Sequence, residues 1–289
     1  MAKKRRRFKL VPVLGTLFLL LLFFLFSVIL RDDRLCFTAF NVGQGDAFLF
    51  EFPNGQTMLV DSGTRKAGRS VASALRTKGI RTVDILVLSH PHEDHIGGMT
   101  EILRSFSVGK VWDSGFISAS KTQQAFLQEI QEKKIRYGHP KAGFKQKIGD
   151  AEITVLKPER MLLGTNSDAN NNSLILHVVF GEVSFLLMGD MELEGRRSVG
   201  VFPPVTILKA AHHGSWTGMD SVLLQQTKPE WVILSYGKKN AYGHPHKQTL
   251  DLLKSRSISY LGTASGTVEI KTDGKTYSVE QHKETKNAF

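Results

Sequence analysis

A single cysteine, Cys36, stands in the 289-residue chain. One thiol excludes a disulfide framework within the chain and any cysteine-based zinc module. From Leu35 onward there is no Pro/Ser linker, no low-complexity tract and no internal repeat, so that stretch reads as one domain. Three signatures of other chemistries are missing: the zincin H-E-x-x-H pattern, the G-x-S-x-G nucleophile elbow and a Gly-Lys-Ser/Thr phosphate loop. Acidic excess is missing too, since the net charge is +11. Six basic residues (Lys3, Lys4, Arg5, Arg6, Arg7, Lys9) precede residue 10, which leaves the remainder mildly basic. Such a balance favours anionic partners, nucleic acid or phosphorylated envelope polymers.

Only one long apolar run is present. "LVPVLGTLFLLLLFFLFSVIL" extends from Leu10 to Leu30 without a charge, and an apolar helix of roughly 20 residues spans a bilayer core. The basic flank before it, against the neutral "RDDR" after it, places the N-terminus in the cytoplasm and the rest outside. A cleaved signal peptide, giving a secreted form, is the rival reading, but "SVILRDDRLC" offers no A-x-A-like site. The expectation is a single-pass protein of the cell membrane: a basic cytoplasmic flank at 1–9, a signal anchor at 10–30 and an extracytoplasmic domain at 35–289.

Short strand-like runs recur after the anchor: Cys36–Phe40, Ala47–Phe52, Met58–Asp61, Asp84–Ser89, Lys110–Trp112, Glu152–Leu156, Ser173–Phe180, Val183–Met188, Val205–Lys209, Trp231–Ser235 and Thr267–Ile270. Helical patterns lie around Arg69–Lys78, Gly98–Phe106, Lys121–Lys134 and Gln248–Arg256. A meander followed by alternating strands and helices predicts an α/β fold of two mixed sheets covered by helices.

The densest polar cluster is "LSHPHEDHIGGM", Leu88 to Met99, directly after an apolar run. It holds three of the chain's ten histidines, His90, His92 and His95, together with Glu93 and Asp94. Side chains alternate in an extended segment, so His90 and His92 project to one side. Asp94 and His95, in the turn that follows, reach a second point. An H-x-H pair beside a D-H pair suits two metal ions, and imidazole and carboxylate match zinc as well as manganese or iron. A solvated histidine-rich loop is the bland alternative, although nothing in folding asks for one. Asp190 ends another buried run, "VSFLLMGD", where a carboxylate needs a cation or several donors to offset desolvation. Capping a helix at "MELEG" is its alternative role.

These residues together resemble the metallo-β-lactamase superfamily. "SHPHEDHIGG" resembles its H-x-H-x-D-H signature, "MLVDSG" its early strand ending in Asp61, and "FLLMGDME" the strand ending in its bridging aspartate. "FNVGQGDAFLFEF", "NNNSLILHV", "LKAAHHGS" and "SYGKKNAYGHPH" resemble the extracellular hydrolase domain of ComEC-type DNA-uptake competence proteins, and also the related phosphorylcholine esterases. The likeness runs from about Phe37 to Gly266.

The resemblance implies an αββα sandwich and two divalent ions, zinc or manganese. His90 and His92 would hold the first ion, Asp94 and His95 the second, and Asp190 would bridge them. His244 would complete the second ion's ligands. Two successive histidines point to opposite sides of an extended chain, so one of His212 and His213 would face the site, as a ligand or as the group that protonates the leaving group. Asp94, His212 and His213 are thus the catalytic candidates. Where many members carry a further histidine this chain has "NNNS", and an amide oxygen of Asn170 or Asn172 would partly compensate. Asp46 would bond backbone near the site, and Trp216 would stack on a base or a choline group. His139, His177 and His246 read as loop, strand and surface residues without a metal.

The function implied is a membrane-anchored metal-dependent hydrolase, a phosphodiesterase or nuclease acting on DNA. The alternatives are an esterase of phosphorylcholine or teichoic-acid-type polymers, and a metal-stabilised binding module without catalysis. The competence proteins carry this domain on a multi-helix channel, whereas this sequence has one apolar segment, which points to a free-standing enzyme.

Overall fold

The computed structural model describes Thr16 and residues 33–283. The expected anchor at 10–30 therefore lies, apart from Thr16, outside the described residues. No described helix is long and apolar enough to cross a membrane.

From Arg34 the chain forms one compact unit. It opens with an antiparallel meander of β1 (Leu35–Ala39), β2 (Phe48–Glu51) and β3 (Thr57–Val60). Helix α1 (Arg65–Thr77) returns it to β4 (Thr82–Leu88), parallel to β3. The short α2 (Glu93–Ile96) and α3 (Met99–Ser105) lead to β5 (Ser107–Asp113), and α4 (Lys121–Glu132) leads to β6 (Arg136–Gly138), both added in parallel. A second sheet starts antiparallel with β7 (Lys145–Ile148) and β8 (Ala151–Lys157), then α5 (Asp168–Asn171), β9 (Ile175–Phe180) and β10 (Val183–Leu187). After α6 (Leu193–Arg197) it continues in parallel through β11 (Ile207–Lys209), α7 (Ser221–Thr227), β12 (Trp231–Leu234), α8 (Lys247–Ser255) and β13 (Ser259–Gly262). The hairpin β14 (Thr267–Thr272) and β15 (Tyr277–His282) rejoins the first sheet beside β1. The orders are β15-β14-β1-β2-β3-β4-β5-β6 and β13-β12-β11-β10-β9-β8-β7.

Strand alternation separates three apolar layers. Phe48, Phe50, Ile85, Val87, Phe185 and Leu187 point between the sheets. Leu49, Leu86 and Leu88 point the other way, against Val71 and Leu75 of α1 and Phe126 of α4. On the far side Leu186, Leu208 and Val232 meet Leu223 of α7 and Leu253 of α8. The stack is helix, sheet, sheet, helix, the αββα sandwich expected. Phe37, Phe50 and Phe185 pin its centre, with ring centroids 4.9–5.5 Å apart, and each buried ring contributes roughly 1.5–3 kcal/mol. With the central strands buried on both faces, polar groups there are left to the loops at the strand ends. The loops after β3, β4, β10, β11 and β12 carry the site.

Candidate metal centre

Asp190 is the hub. It follows β10, is 2% exposed, and its backbone N–H donates to Ser173 Oγ at 3.2 Å. Around its Oδ2 stand His213 Nε2 at 3.2 Å, His95 Nε2 at 3.3 Å, His212 Nε2 at 3.8 Å and His90 Nε2 at 3.9 Å. His90 Nε2 also faces His92 Nδ1 at 3.1 Å. Asp94 Oδ2 lies 3.2 Å from His213 Nε2, and its Oδ1 lies 4.0 Å from His95 Nε2.

His95, His213 and His212 are each aimed by a partner behind the ring. His95 Nδ1 donates to Asp61 Oδ2 at 2.8 Å. Asp61 is itself fixed by Ser89, which donates through N to Oδ1 at 2.8 Å and through Oγ to Oδ2 at 2.6 Å. His95 Nε2 is left buried and without a hydrogen-bond partner among the described residues. His213 Nδ1 donates to the Ser235 carbonyl at 2.9 Å, which likewise turns Nε2 toward Asp190. His212 Nδ1 lies 3.0 Å from Glu192 Oε1. Hydrogen bonds of this kind fix the tautomer and orientation of a ligating imidazole.

Both His212 and His213 face the hub, contrary to the expectation that one would turn away. They have φ of 47° and 54°, the left-handed region. Two such residues in succession curl the chain, so the alternation of an extended segment no longer applies. Asp61, with φ 59°, is a third non-glycine residue held this way. Backbone in this region costs on the order of 1–3 kcal/mol per residue, and here the three cases converge on one site.

Beneath the site lies a pair the sequence reading did not single out. Lys209, at the end of β11, is fully buried. Its Nζ pairs with the Asp46 carboxylate, donates to the Gly189 carbonyl at 2.9 Å and stands 3.6 Å from Asp190 Oδ1. Asp46 was expected to bond backbone near the site, and its own backbone does so, N–H donating to the Asp94 carbonyl at 3.1 Å and carbonyl accepting from Gly63 N–H at 2.8 Å. Its side chain meets Lys209 and, at 3.3 Å, His213 Nδ1. The available signal was the lysine closing the apolar run "VTILK".

The electrostatics follow from this crowding. Burial alone would raise the carboxyls of Asp94 and Asp190, yet neighbouring His95 and His213 hold both low. Burial alone would lower His95 and His213, yet the carboxylates around them, Asp190 foremost, pull both well up. His90 and His92 go the other way: burial, with His95 adding, pushes them below the usual imidazole range. The pocket thus gathers carboxylates that demand positive charge beside neutral imidazoles with free lone pairs.

The other expected residues divide. His244, expected beside Asp94, His95 and Asp190, does not take that place; His213 does. His244 instead walls the cleft, its Nδ1 3.5 Å from Gln44 Nε2 and its ring stacked on Tyr242. Burial first, then His213 and His212, push its imidazole down to about 4. Asn170 lines the cleft, its Oδ1 buried without a hydrogen-bond partner among the described residues. Asn172 does not line it: its Oδ1 accepts from Leu162 N at 2.8 Å, and its Nδ2 donates to the Leu162 and Asp168 carbonyls, both at 2.7 Å. Trp216 is 59% exposed, and its backbone N–H donates to His246 Nδ1 at 3.1 Å. His139 pairs with Asp113, apart from the cluster.

The cleft above Asp190 has a volume of about 380 Å³. His95 Nε2 and Asp190 Oδ1 are buried polar atoms without hydrogen-bond partners among the described residues. Such atoms are costly unless something binds them. Nitrogen and carboxylate donors in this number suit two divalent ions, so the residues fit a dimetal site.

Comparison with known proteins agrees with the fold. The model of the family described as "Metallo-beta-lactamase superfamily" matches residues 40–238. The chain is 31% identical to ComE operon protein 3 of Bacillus subtilis (strain 168), over 96% of this chain and 38% of that protein. It is 27% identical to Competence protein ComA of Neisseria gonorrhoeae, over 80% of this chain and 31% of that protein. It therefore spans well under half the length of these relatives. Among solved structures, the metallo-beta-lactamase fold protein YhfI from Bacillus subtilis superposes with a TM-score of 0.53 at 14% identity, over 82% of this chain and 100% of that one. CmlA, a diiron beta-hydroxylase from Streptomyces venezuelae, superposes with a TM-score of 0.54 at 14% identity, over 83% and 54%. On the family match, the fold and the Asp/His cluster, the chain belongs to the metallo-beta-lactamase superfamily and is related to competence proteins.

Proposed function

We propose that this protein is a metal-dependent phosphodiesterase that cleaves DNA outside the membrane to which residues 10–30 anchor it. The observation that carries the reading is the convergence of His90, His95, His212 and His213 on one buried carboxylate oxygen of Asp190, in a chain related to competence proteins.

His90, His92 and Asp190 would hold one ion, with His212 in reach. Asp94, His95, His213 and Asp190 would hold the other. Divalent ions held there, zinc or manganese, would supply Lewis acidity toward a phosphoryl oxygen and lower the pKa of bound water. The chain's own residues bind, aim and exchange protons. Asp61 and the Ser235 carbonyl keep His95 and His213 aimed, so the ligands need no reorganisation during turnover. Asn170 and His244, which both line the cleft, hold the phosphate there, and His212, its Nδ1 paired with Glu192, donates a proton to the leaving oxygen.

The test uses full-length protein, stripped of metal and reloaded separately with zinc or manganese. Single-stranded DNA, double-stranded DNA and p-nitrophenyl phosphorylcholine are offered, with Asp94→Ala as the control for contaminating nuclease. Metal-restored DNA cleavage that Asp94→Ala lacks supports the reading. DNA left intact while the choline ester is cut favours an envelope esterase. One observation speaks for that second reading: exposed Trp216 and Tyr242 are held near one another through their backbones by His246, which accepts from the Trp216 backbone N–H and reaches the Tyr242 backbone carbonyl at 3.2 Å, and aromatic faces bind quaternary ammonium groups. Binding of two ions without turnover of any substrate leaves a binding module.

A further inference from the structure

A second cavity backs onto the metal cleft. The ridge between them is built from two loops. On one, Gln44 faces the cleft, while Asn41 and Gly43 face the other side. On the other, Gly237 N–H donates to Gln44 Oε1 at 3.3 Å. A Cβ on Gly237 would come within 2.7 Å of Gln44 N, so the loops pack backbone to backbone and the ridge is thin.

Beyond it lies a cavity of about 330 Å³ lined by Asn41, Thr64, Lys66, Ser70 and Lys238 among others. It shares Asn41, Lys238 and Ala264 with a neighbouring cavity of about 720 Å³, where Tyr236 and Lys283 stand. The two form one groove, and no carboxylate among the described residues lines it. The metal cleft, by contrast, is lined by Glu93, Asp94 and Asp190. Neither Lys66 nor Lys238 forms an ion pair among the described residues. The first turn of α1 contains no acidic residue, although Arg65 and Lys66 lie there. Cations at that end oppose the helix dipole, and folding gives no reason for them.

We infer that this groove is a second subsite for the substrate, which holds the phosphates of a single nucleic-acid strand on Lys66, Lys238 and Lys283 while another phosphate of the same strand lies in the metal cleft. This rests on the phosphodiesterase reading and deepens it: the enzyme would act on a strand rather than on an isolated diester. Tyr236 is among the groove's lining residues, and basic grooves with interleaved aromatics track single strands without reading sequence.

The test is fluorescence anisotropy of a labelled oligothymidylate of about twelve nucleotides, within the span such grooves occupy. Full-length protein is used, with EDTA present to stop turnover. Lys66→Ser/Lys238→Ser should bind roughly tenfold or more weakly at ~0.1 M salt, and the slope of log affinity against log salt should shrink by about 0.7 per lysine. Lys275→Ser, at the distant β14–β15 turn, should match wild type in both. Equal affinity and slope in the double variant and wild type would overturn the subsite. So would equal losses in the double variant and Lys275→Ser. Wild-type hydrolysis of bis(p-nitrophenyl) phosphate with metal restored tests the cleft separately. If that fails while the lysine-dependent binding stands, the phosphodiesterase reading falls and the groove remains.

Discussion

Asp61 Oδ2 lies 2.8 Å from His95 Nδ1, and this contact sets the direction of the ring nitrogen that faces Asp190. Asp61→Asn keeps the shape but removes the charge, and its amide can present N–H to the ring. Removing such an outer partner costs about 10–100-fold in metal affinity. Competition with a chromophoric chelator measures it. Unchanged affinity would mean that Asp61 only supports the loop.

Lys209 and Asp46 form a fully buried ion pair under the same site. Removing one partner strands the other, at roughly 3–5 kcal/mol, whereas replacing both with apolar groups is often close to neutral. Lys209→Met should therefore lower stability by about that amount. Lys209→Met/Asp46→Leu should recover much of the loss. Urea midpoints in EDTA read stability apart from metal binding. If the double variant is as unstable as the single, the pair's partners Gly189 and His213 carry more of the local stability than the pair does.

The sequence made the site legible in part, for reasons visible in particular residues. Interior strands announce themselves because both faces are apolar, as in "FLFE" and "TVDILVL". The strands left unannounced, β6, β7, β13 and β15, are the four edges of the two sheets. Edge strands carry polar residues such as the lysines of "KQKI" on their open side, so the periodicity is lost there. His90, His92, Asp94 and His95 sit close together in sequence, and their gathering could be read locally. Assigning His213 where His244 was expected required the left-handed turn at His212–His213, which no spacing rule encodes. The amide of Asn172 gave no sign that it serves the Leu162 loop.

Asp220 caps α7, accepting from Leu223 N–H at 2.8 Å, and its two oxygens take both amino groups of buried Arg196. Hydrogen bonding from Arg196 is the largest cause holding its carboxyl below the usual range. A carboxyl lowered on folding contributes stability that is fully present above its unfolded value, about 3.9, and lost as pH falls through the folded value. Asp220→Asn retains a good cap but loses the charge. It should be less stable than wild type at neutral pH, and the gap should close in the acid range. Thermal midpoints across that range measure it; a gap independent of pH would assign the effect to packing.

Gly45 joins the halves of the site. It has φ 130°, and its carbonyl accepts from Ser235 Oγ at 2.6 Å, in the residue whose own carbonyl orients His213. A Cβ on Gly45 would strike the carbonyl of Asp94, which accepts from Asp46 N–H at 3.1 Å. Gly45→Ala must therefore move Asp94 or the Asp46 loop, and either displaces donors from Asp190. A shift of about 1 Å in such a site costs on the order of 100-fold in rate. Gly143→Ala supplies the comparison: its φ of 87° carries the same kind of backbone strain, but nothing lies within 4 Å of the added carbon. It should lose only about 1–2 kcal/mol of stability, with metal content and hydrolysis retained. If Gly45→Ala behaves like Gly143→Ala, the close approach to Asp94 is not what holds the two halves in register.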